Sequence, residues 1–341
     1  MSLYRVIIQG RLDFSTHRSY DKAKKMYQYR LENYFKSDSL FREADEVFND
    51  EERTLDIPRF VGQAFEKTFK NTVSLLDYCA QFAMMGVVKA WQTDSGKVLN
   101  YADIEPKSDK VAVQLYQKGK KLSKEDDMQQ EAFAQLTKAI EKYDQHAQAY
   151  ERRGNVNLKL KKYADAIRDF KKTISIDPSN PFAYFGLAKV HILKGDFAEA
   201  VDQLELVCKK SLALQPIYWK ARRLKADCHF KVEEYEKAEF DLRLFTKRNF
   251  KEDDPNYGWK RHALYFYGRV LFEQEKFAEA IPIFQEAIDT KDCIDTIPQE
   301  DIYFHLGSSK KNAGKNGYVS DLKKASEMGS KFAVAALSGS K

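Results

Sequence analysis

Cysteine is scarce in this sequence of 341 residues. The four cysteines, Cys79, Cys208, Cys228 and Cys293, lie far apart and form no Cys-x-x-Cys pair. This spacing favours neither a disulfide framework nor a structural zinc site. We therefore expect reduced thiols and a cytoplasmic location, and we predict neither a metal nor a cofactor.

Long apolar runs and glycine-rich phosphate loops are also missing. No window approaches the roughly 18 uncharged apolar residues of a membrane span. The N-terminal segment MSLYRVIIQGRLDF carries Arg5 and Arg11, unlike the apolar core of a signal peptide. Neither G-x-x-x-x-G-K-[ST] nor G-x-G-x-x-G occurs, so a nucleotide site has no support. The sequence predicts neither secretion nor membrane insertion.

The charge is nearly balanced. There are 57 basic and 51 acidic side chains, with a net charge of +6 and both signs interspersed. A mild basic excess of this kind is not the footprint of a nucleic-acid-binding protein. Hydrophobic residues make up 43% of the chain, enough for a packed interior.

Two clusters raise the question of catalysis. Asp13, His17 and Asp21 are spaced by four and would share one face of a continuous helix, but FST at 14–16 is typical of a strand-to-helix corner. Cys228 and His229 are adjacent, and adjacent side chains on a helix point about 100° apart. A structural role is favoured for both clusters, so we predict no catalytic residues and no enzymatic activity.

Repetition is the strongest feature of the sequence. Four alanines follow one another at intervals of 34, 38 and 42 residues. Each has an aromatic residue three positions earlier, a bulky apolar residue four later and a small residue twelve earlier. In this order the sets are Ala166, Tyr163, Phe170 and Gly154; Ala200, Phe197, Leu204 and Ala188; Ala238, Tyr235, Leu242 and Ala226; and Ala280, Phe277, Phe284 and Gly268. The pattern predicts helical hairpins that bury their apolar faces only against neighbouring hairpins.

This pattern resembles the tetratricopeptide repeat. One copy matches at Tyr150, Gly154, Ala166, Phe170 and Pro178, and another at Tyr267, Gly268, Ala280, Phe284 and Ala287. The third copy lacks the closing proline. Insertions of four and eight residues, within SLALQP and KRNFKEDDPNYG, lengthen two connections, as ligand-binding features or as spacers. With a weaker copy at each end, we predict a mainly α protein, a tetratricopeptide-like α-solenoid of about six helical hairpins over residues 106–341.

Residues 1–105 do not repeat and predict a small α+β head module. LYRVIIQGRL is typical of a strand, and residues 87–104 of a hairpin that turns at Asp94-Ser95-Gly96. Helices are expected from Tyr20 to Tyr34 and from Pro58 onward, which gives three strands with two or three helices. With IIQGRLDF and the downstream IYWKARRLK, the head is similar to a subgroup of bacterial tetratricopeptide proteins. That resemblance implies no function for it.

The resemblance directs attention to the concave face formed by the first helix of each hairpin. Aromatic and cationic residues alternate there, which suits an extended peptide or helix with apolar and acidic groups. The predicted partner-binding residues are Tyr116, Lys120, Asn155, Phe185, Lys189, Lys220, Arg223, Tyr265, Arg269 and Phe304. The alternative, that the aromatics pack between hairpins, stays open. The carboxylate clamp of chaperone-binding relatives is disfavoured, because Glu151 stands where a lysine is required.

The sequence therefore predicts a non-enzymatic scaffold that binds a protein or peptide partner, which would carry acidic groups. The alternative is a structural protein that associates with itself head to tail, since heterologous contacts build rings or fibres. RNA binding through the basic run WKARRLK comes third, and nucleic acid is not the expected partner.

Overall fold

The computed structural model describes residues 2–338; Met1 and the last three residues of the predicted repeat segment lie outside the described residues. Within that range the chain forms two compact units, one up to Pro178 and one from Ser179 onward. The first unit begins with five strands and two α-helices: β1 (Tyr4–Asp13), α1 (His17–Asn33), β2 (Phe48–Asn49), β3 (Thr54–Ala64), α2 (Glu66–Ala80), β4 (Met85–Asp94) and β5 (Lys97–Ile104).

The strands form one antiparallel sheet in the order β2-β3-β1-β4-β5. Alternation along β1 directs Val6, Ile8 and Leu12 into a core that also includes Tyr27 of α1 and Leu75 of α2. Both helices bury their aromatic and aliphatic faces against β1, and this shared core stabilises the head.

The β4–β5 hairpin confirms the predicted turn. Ser95 and Gly96 are the two residues between the strands, and both have positive φ angles, 47° and 81°. Two consecutive left-handed residues match the right-handed twist of the flanking strands. Glycine adopts this conformation without a steric penalty.

Two predictions for the head are wrong. The sheet has five strands, where three were expected, and the segment from Pro58 to Ala64 belongs to β3, where a helix was predicted. β2 pairs only with Thr54 and Leu55 of β3, so Pro58 lies beyond the paired part of this edge and is exposed. Proline is tolerated there because no strand on that side needs a hydrogen bond from its backbone nitrogen. The helix begins later, at Glu66.

Two helical hairpins complete the first unit: α3 (Val111–Leu122) with α4 (Gln129–Lys142), and α5 (Ala147–Lys159) with α6 (Tyr163–Ile176). They bond directly to the head. The Tyr143 hydroxyl donates to Asp13 Oδ1 at 3.0 Å, and Lys110 Nζ donates to the Phe82 carbonyl at 2.9 Å. The boundary between residues 105 and 106 therefore lies inside a compact unit, and the division into head and repeats as domains stays a prediction.

The second unit is helical throughout its described part. Its hairpins are α7 (Pro181–Lys194) with α8 (Phe197–Lys210), α9 (Pro216–Lys231) with α10 (Tyr235–Thr246), α11 (Lys260–Glu273) with α12 (Phe277–Asp289), and α13 (Gln299–Asn312) with α14 (Tyr318–Glu327), followed by α15 (Lys331–Ser338). Together with the two hairpins of the first unit, the described residues contain the six hairpins predicted from the repeats.

The repeated small residues allow the two helices of a hairpin to meet. A Cβ atom added at Gly154 would lie 2.7 Å from the Phe170 ring, and one added at Gly268 would lie 2.6 Å from the Phe284 ring. Both rings are fully buried. The small residue and the aromatic residue sixteen positions later therefore form one packing contact, which explains why they recur together.

Within residues 2–338, none of the helices has the combination of length and apolar content that crossing a membrane requires.

Candidate partner-binding surface

Seven of the predicted binding residues lie on the first helices of successive hairpins in the second unit. We call them the first-helix row: Phe185, Lys189, Lys220, Arg223, Tyr265, Arg269 and Phe304. Side-chain contacts connect each helix to the next. Lys220 Nζ of α9 lies 5.5 Å from the centroid of the Phe185 ring of α7. Further along, Arg269 of α11 lies 5.1 Å from the centroid of the Phe230 ring of α9, and the Tyr265 and His305 rings of α11 and α13 are 5.7 Å apart.

The α7 end of the row combines an aromatic ring with two ammonium groups and exposed apolar side chains. Phe185 is buried, and Lys189 and Lys220 approach its ring to 5.7 and 5.5 Å. Phe182 and Leu193 are 39% and 60% exposed. Phe182, Phe185, Lys189 and Leu193 are spaced by three, four and four residues, so they share one helix face. Leu193 was missed from the sequence, although this spacing could have revealed it.

The start of α7 is fixed by its own sequence. Asn180 caps the helix, because its side-chain oxygen accepts a hydrogen bond from the Phe182 amide at 2.9 Å, and Pro181 occupies the first turn. The helix ends at Gly195, which has a left-handed conformation. The cap thus fixes the orientation of the backbone that carries Phe182.

Arg223 occupies a buried position in the middle of the row. It is 3% exposed, its guanidinium lies 3.9 Å from the centroid of the Trp259 ring, and its Nη1 is 3.4 Å from Asp227 Oδ2. Asp227 also lies 3.1 Å from His262 Nε2. Burial lowers the pKa of Arg223, and the Asp227 carboxylate opposes this shift. Arg223 therefore packs within the fold. The sequence had indicated an accessible cation on the surface, and the structure does not place one there.

Tyr265 and Arg269 lie where α11 packs against its neighbours. Tyr265 belongs to the buried core, in agreement with the alternative that this aromatic packs between hairpins. Arg269 donates to the Tyr265 hydroxyl at 3.3 Å and to Glu273 at 3.2 Å. His305 donates from Nδ1 to the Asp301 carbonyl at 2.7 Å, and burial, assisted by the Arg269 charge, lowers its pKa to about 4. The neutral imidazole is therefore the form present near pH 7.

The α13 end of the row is apolar. The Phe304 ring is half-buried and lies 5.8 Å from the ring of Phe332 on α15. Phe332 is 71% exposed, and Val334 beside it is also exposed. This end offers aromatic area to a partner.

The remaining predicted residues lie in the first unit. Tyr116 is buried and its ring lies 4.6 Å from that of His146. Lys120 Nζ bonds both oxygens of Glu105, at 2.6 and 2.7 Å. Asn155 donates to the Glu151 carbonyl at 3.1 Å. Tyr116 is thus a core residue, and the predicted set divides between the two units.

The basic run WKARRLK is largely neutralised by acidic side chains. Arg222 pairs with Asp241, a buried residue. Lys225 Nζ lies 2.6 Å from Glu205 Oε2 and 3.1 Å from Asp241 Oδ2. Since Arg223 is buried as well, Lys220 is the exposed cation of the run.

The two clusters considered for catalysis have structural roles. Asp13 ends β1, where Oδ1 accepts hydrogen bonds from the Ser15 amide at 2.8 Å and the Tyr143 hydroxyl at 3.0 Å, so it does not share a helix with His17. His229 is buried with Nδ1 2.6 Å from Glu234. Burial raises the pKa of the neighbouring Cys228 to about 12, which leaves the thiol protonated and poorly nucleophilic near pH 7.

Comparison with known proteins identifies two of the hairpins. Tetratricopeptide-repeat family models match residues 147–180, which comprise α5 and α6, and residues 260–292, which comprise α11 and α12. Both segments are the copies in which the sequence pattern is most complete.

Solved structures of other proteins resemble the chain, and two of them illustrate the likeness. YrrB, described as a TPR protein with an unusual peptide-binding site, is 18% identical, with a TM-score of 0.51 over 60% of this chain and 97% of its own. PilF of Pseudomonas aeruginosa is 13% identical, with a TM-score of 0.51 over 67% of this chain and 97% of its own. At these identities the likeness establishes the fold of the helical hairpins alone, a tetratricopeptide-like α-solenoid.

Proposed function

We propose that this tetratricopeptide-repeat protein is a non-enzymatic scaffold that binds a protein segment through the first-helix row of its second unit. Proteins built from such repeats are generally protein-interaction scaffolds, since stacked hairpins offer an extended binding surface. A peptide-binding site is stated for YrrB, whose fold this chain shares. Reduced, unpaired cysteines support a cytoplasmic location as part of the same proposal.

The observation that carries the proposal is the α7 end of the row. Phe182 and Leu193 expose apolar area on the same helix face as Lys189, and Lys220 of the next first helix adds a second ammonium over Phe185. A peptide with an apolar residue beside a carboxylate fits this arrangement, because the ring favours apolar contact while the ammonium groups favour the anion.

Lys220→Glu tests this surface, because the residue is exposed and the substitution reverses the charge without disturbing the core. Peptides would be selected from a random library on the full-length protein, and their affinity measured for both forms. We expect selection of apolar and acidic residues and a loss of affinity of about tenfold or more in the variant. Lys323→Glu, which reverses an exposed lysine on the second helix α14, is the matched control and leaves the affinity unchanged.

Equal affinity in the Lys220→Glu variant would remove the α7 end from consideration. An affinity that falls with salt for RNA, and not for peptides, would instead favour the third candidate. The ion pairs of Arg222 and Lys225 argue against that outcome.

Self-association is the second candidate, and one observation favours it. The chain exposes opposite charges in its two units. The outer face of α1 carries three unpaired cations, Arg18, Lys22 and Lys25, beside two exposed carboxylates, and the connection between α10 and α11 exposes Glu252 and Asp253. Two different complementary surfaces on one chain produce head-to-tail contacts, which close into rings or propagate as filaments.

A further inference from the structure

The outer face of α1 is an exposed surface of cations and tyrosines. Tyr20, Ala23, Tyr27 and Leu31 bury the inner face of the helix. Arg18, Lys22, Lys25 and Tyr29 follow one another by four, three and four residues on the opposite side. Tyr34 directly follows the helix end at Asn33, and its ring contacts that of Tyr29. All five of these side chains are exposed, and we call them the α1 outer face.

The cations of this face are not neutralised by the fold. Within the described part of the chain, Lys24 is the α1 residue that forms ion pairs, whereas Arg18, Lys22 and Lys25 have no acidic partner. The Lys22 ammonium lies 5.1 Å from the centroid of the Phe82 ring. The face therefore has three unpaired cations, which stand beside two exposed carboxylates, Asp21 and Glu32.

The tyrosine end of the face is held in place by Arg30. The Arg30 guanidinium lies between two rings, 4.7 Å from the centroid of Tyr34 and 4.1 Å from that of Tyr78. The Tyr29 and Tyr34 rings meet edge to face at 6.2 Å, although both residues are more than half exposed. Rings that are already ordered lose little entropy when a partner covers them, which favours their use in an interface.

The second unit contains an exposed turn in which two carboxylates follow one lysine, Lys251. The Asp254 amide donates to the Lys251 carbonyl at 2.9 Å, so Glu252 and Asp253 are the two central residues of a turn. Both side chains are exposed, and neither has a basic partner among residues 2–338. The turn thus presents two adjacent carboxylates to solvent.

This turn is anchored on both sides. Before it, the Phe250 ring packs 4.9 Å from Phe245 and 5.8 Å from Trp219. After it, Asn256 is buried and donates to Asp254 Oδ1 at 2.9 Å and to the Pro216 carbonyl at 3.1 Å. The insertion KRNFKEDDPNYG is therefore more than a spacer, because its ends fix the acidic turn in position.

We propose that the α1 outer face of one molecule binds the Glu252–Asp253 turn of a second copy. This inference rests on self-association, the second candidate function. Lys22 and Lys25 lie one helical turn apart, and two adjacent carboxylates can each meet one of these ammonium groups. The two surfaces are different, so every molecule retains one unused surface of each kind and the assembly grows by repetition or closes into a ring.

The chain provides a matched control for the acidic turn. The tetrapeptide Lys-Glu-Asp-Asp occurs at residues 251–254 and again at residues 124–127, between α3 and α4. In the latter copy, Asp126 lies 3.2 Å from Lys159 Nζ of its own chain. The two copies allow the same charge change to be made in the same local sequence.

The experiment measures the mass of the full-length protein by sedimentation over a concentration series at low and high salt. We expect association that weakens with salt, because the attraction is between exposed charges. The variants Lys22→Glu/Lys25→Glu and Glu252→Lys/Asp253→Lys each weaken association by about tenfold or more. A chain that carries all four substitutions associates again, since the charges are exchanged. The control Glu125→Lys/Asp126→Lys associates like the unmodified protein.

Each other outcome contradicts part of this model. A monomer at all concentrations in low salt overturns both the inference and self-association as a function. Association that is unchanged by either charge reversal leaves self-association standing and overturns the α1 outer face as its site. If the four-substitution chain stays monomeric while circular dichroism shows that it is folded, the pairing of these two surfaces is wrong. RNA binding of the same proteins is measured in parallel. If Lys22→Glu/Lys25→Glu loses RNA binding but associates like the unmodified protein, the α1 outer face binds nucleic acid and the proposed contact is wrong.

Discussion

The guanidinium of Arg223 stacks on the indole of Trp259 at 3.9 Å, a contact between a helix and the connection inserted before the next hairpin. Because Arg223 is 3% exposed, its charge is balanced by Asp227 and by the face of the ring. The contact holds the lengthened connection against α9.

Replacing the guanidinium tests the strength of this contact. Arg223→Lys keeps the charge but loses the planar group that stacks on Trp259, so we expect the free energy of unfolding to fall by about 1–2 kcal/mol. Urea denaturation followed by circular dichroism measures the change. Lys220→Arg, on the same helix but exposed, serves as the control and shifts stability little. Equal stability of Arg223→Lys and the unmodified protein would mean that the stack contributes nothing.

Buried aspartates recur at equivalent positions of two hairpins. In α6, Asp169 accepts from Arg153 at 2.7 and 3.0 Å and from Asn157 at 3.0 Å. Asp169→Ala leaves the cation without its partner, so we expect a loss of about 3 kcal/mol or more in the free energy of unfolding. Asp165→Ala on the same helix breaks only the exposed pair with Arg168 and costs less than about 1 kcal/mol. A similar small loss at both positions would contradict a structural role for the buried pair.

The contact between Gly268 and Phe284 predicts a compensating pair of substitutions. Gly268→Ala places a methyl group where the ring already lies, 2.6 Å away, and should cost about 1–3 kcal/mol. Phe284→Leu alone creates a cavity and also destabilises the hairpin. In the double variant the added methyl group occupies part of that cavity, so the combined loss is smaller than the sum. Additive losses in a thermal or urea unfolding cycle would show that the two residues do not interact.

His146 makes the first unit sensitive to acid. Its ring is buried against Tyr116, both ring nitrogens lack hydrogen-bond partners among residues 2–338, and burial lowers its pKa to about 3. In the unfolded chain the pKa is about 6.5. The unfolded state therefore binds the proton more readily between these values. The stability associated with neutral His146 is fully present above about pH 6.5 and is lost as the pH falls toward 3.

His146→Phe removes this titration while keeping a ring beside Tyr116. Between pH 6.5 and pH 4.5 we expect the unmodified protein to lose about 2–3 kcal/mol more of its free energy of unfolding than the variant. Urea denaturation of both proteins at the two pH values gives the difference. His17→Phe, at an exposed position of α1, should keep the acid sensitivity. Parallel pH profiles for the unmodified protein and His146→Phe would contradict the assignment.

The repeats could be predicted from the sequence because their signals are local and periodic. Gly154 and Phe170 recur as a pair because a single packing contact requires both, so spacing alone revealed the hairpins. The head offered no such period. Pro58 indicates a helix start as well as an edge strand, and only the pairing of β3 with β1 decides between them.

The burial of the predicted binding residues was harder to foresee, because it depends on residues distant in the sequence. Arg223 was expected to face solvent, and the reason it does not is Trp259, which follows an eight-residue insertion and packs back onto α9. Lys220, three residues earlier, is exposed as expected. Leu193 was missed, although it follows Lys189 by four residues on the same helix face.

The ion pairs of Lys225 make the hairpins of the second unit non-interchangeable. Its ammonium joins Glu205 of the preceding hairpin to buried Asp241 of its own. The position equivalent to Asp241 is Gln203 in the hairpin before and Ile283 in the hairpin after. Deleting or duplicating one hairpin by recombination would place the Asp241 carboxylate or the Lys225 ammonium against a neighbour that cannot neutralise it. The order of the repeats is therefore itself under structural constraint, and the array can lengthen or shorten only if these charges change with it.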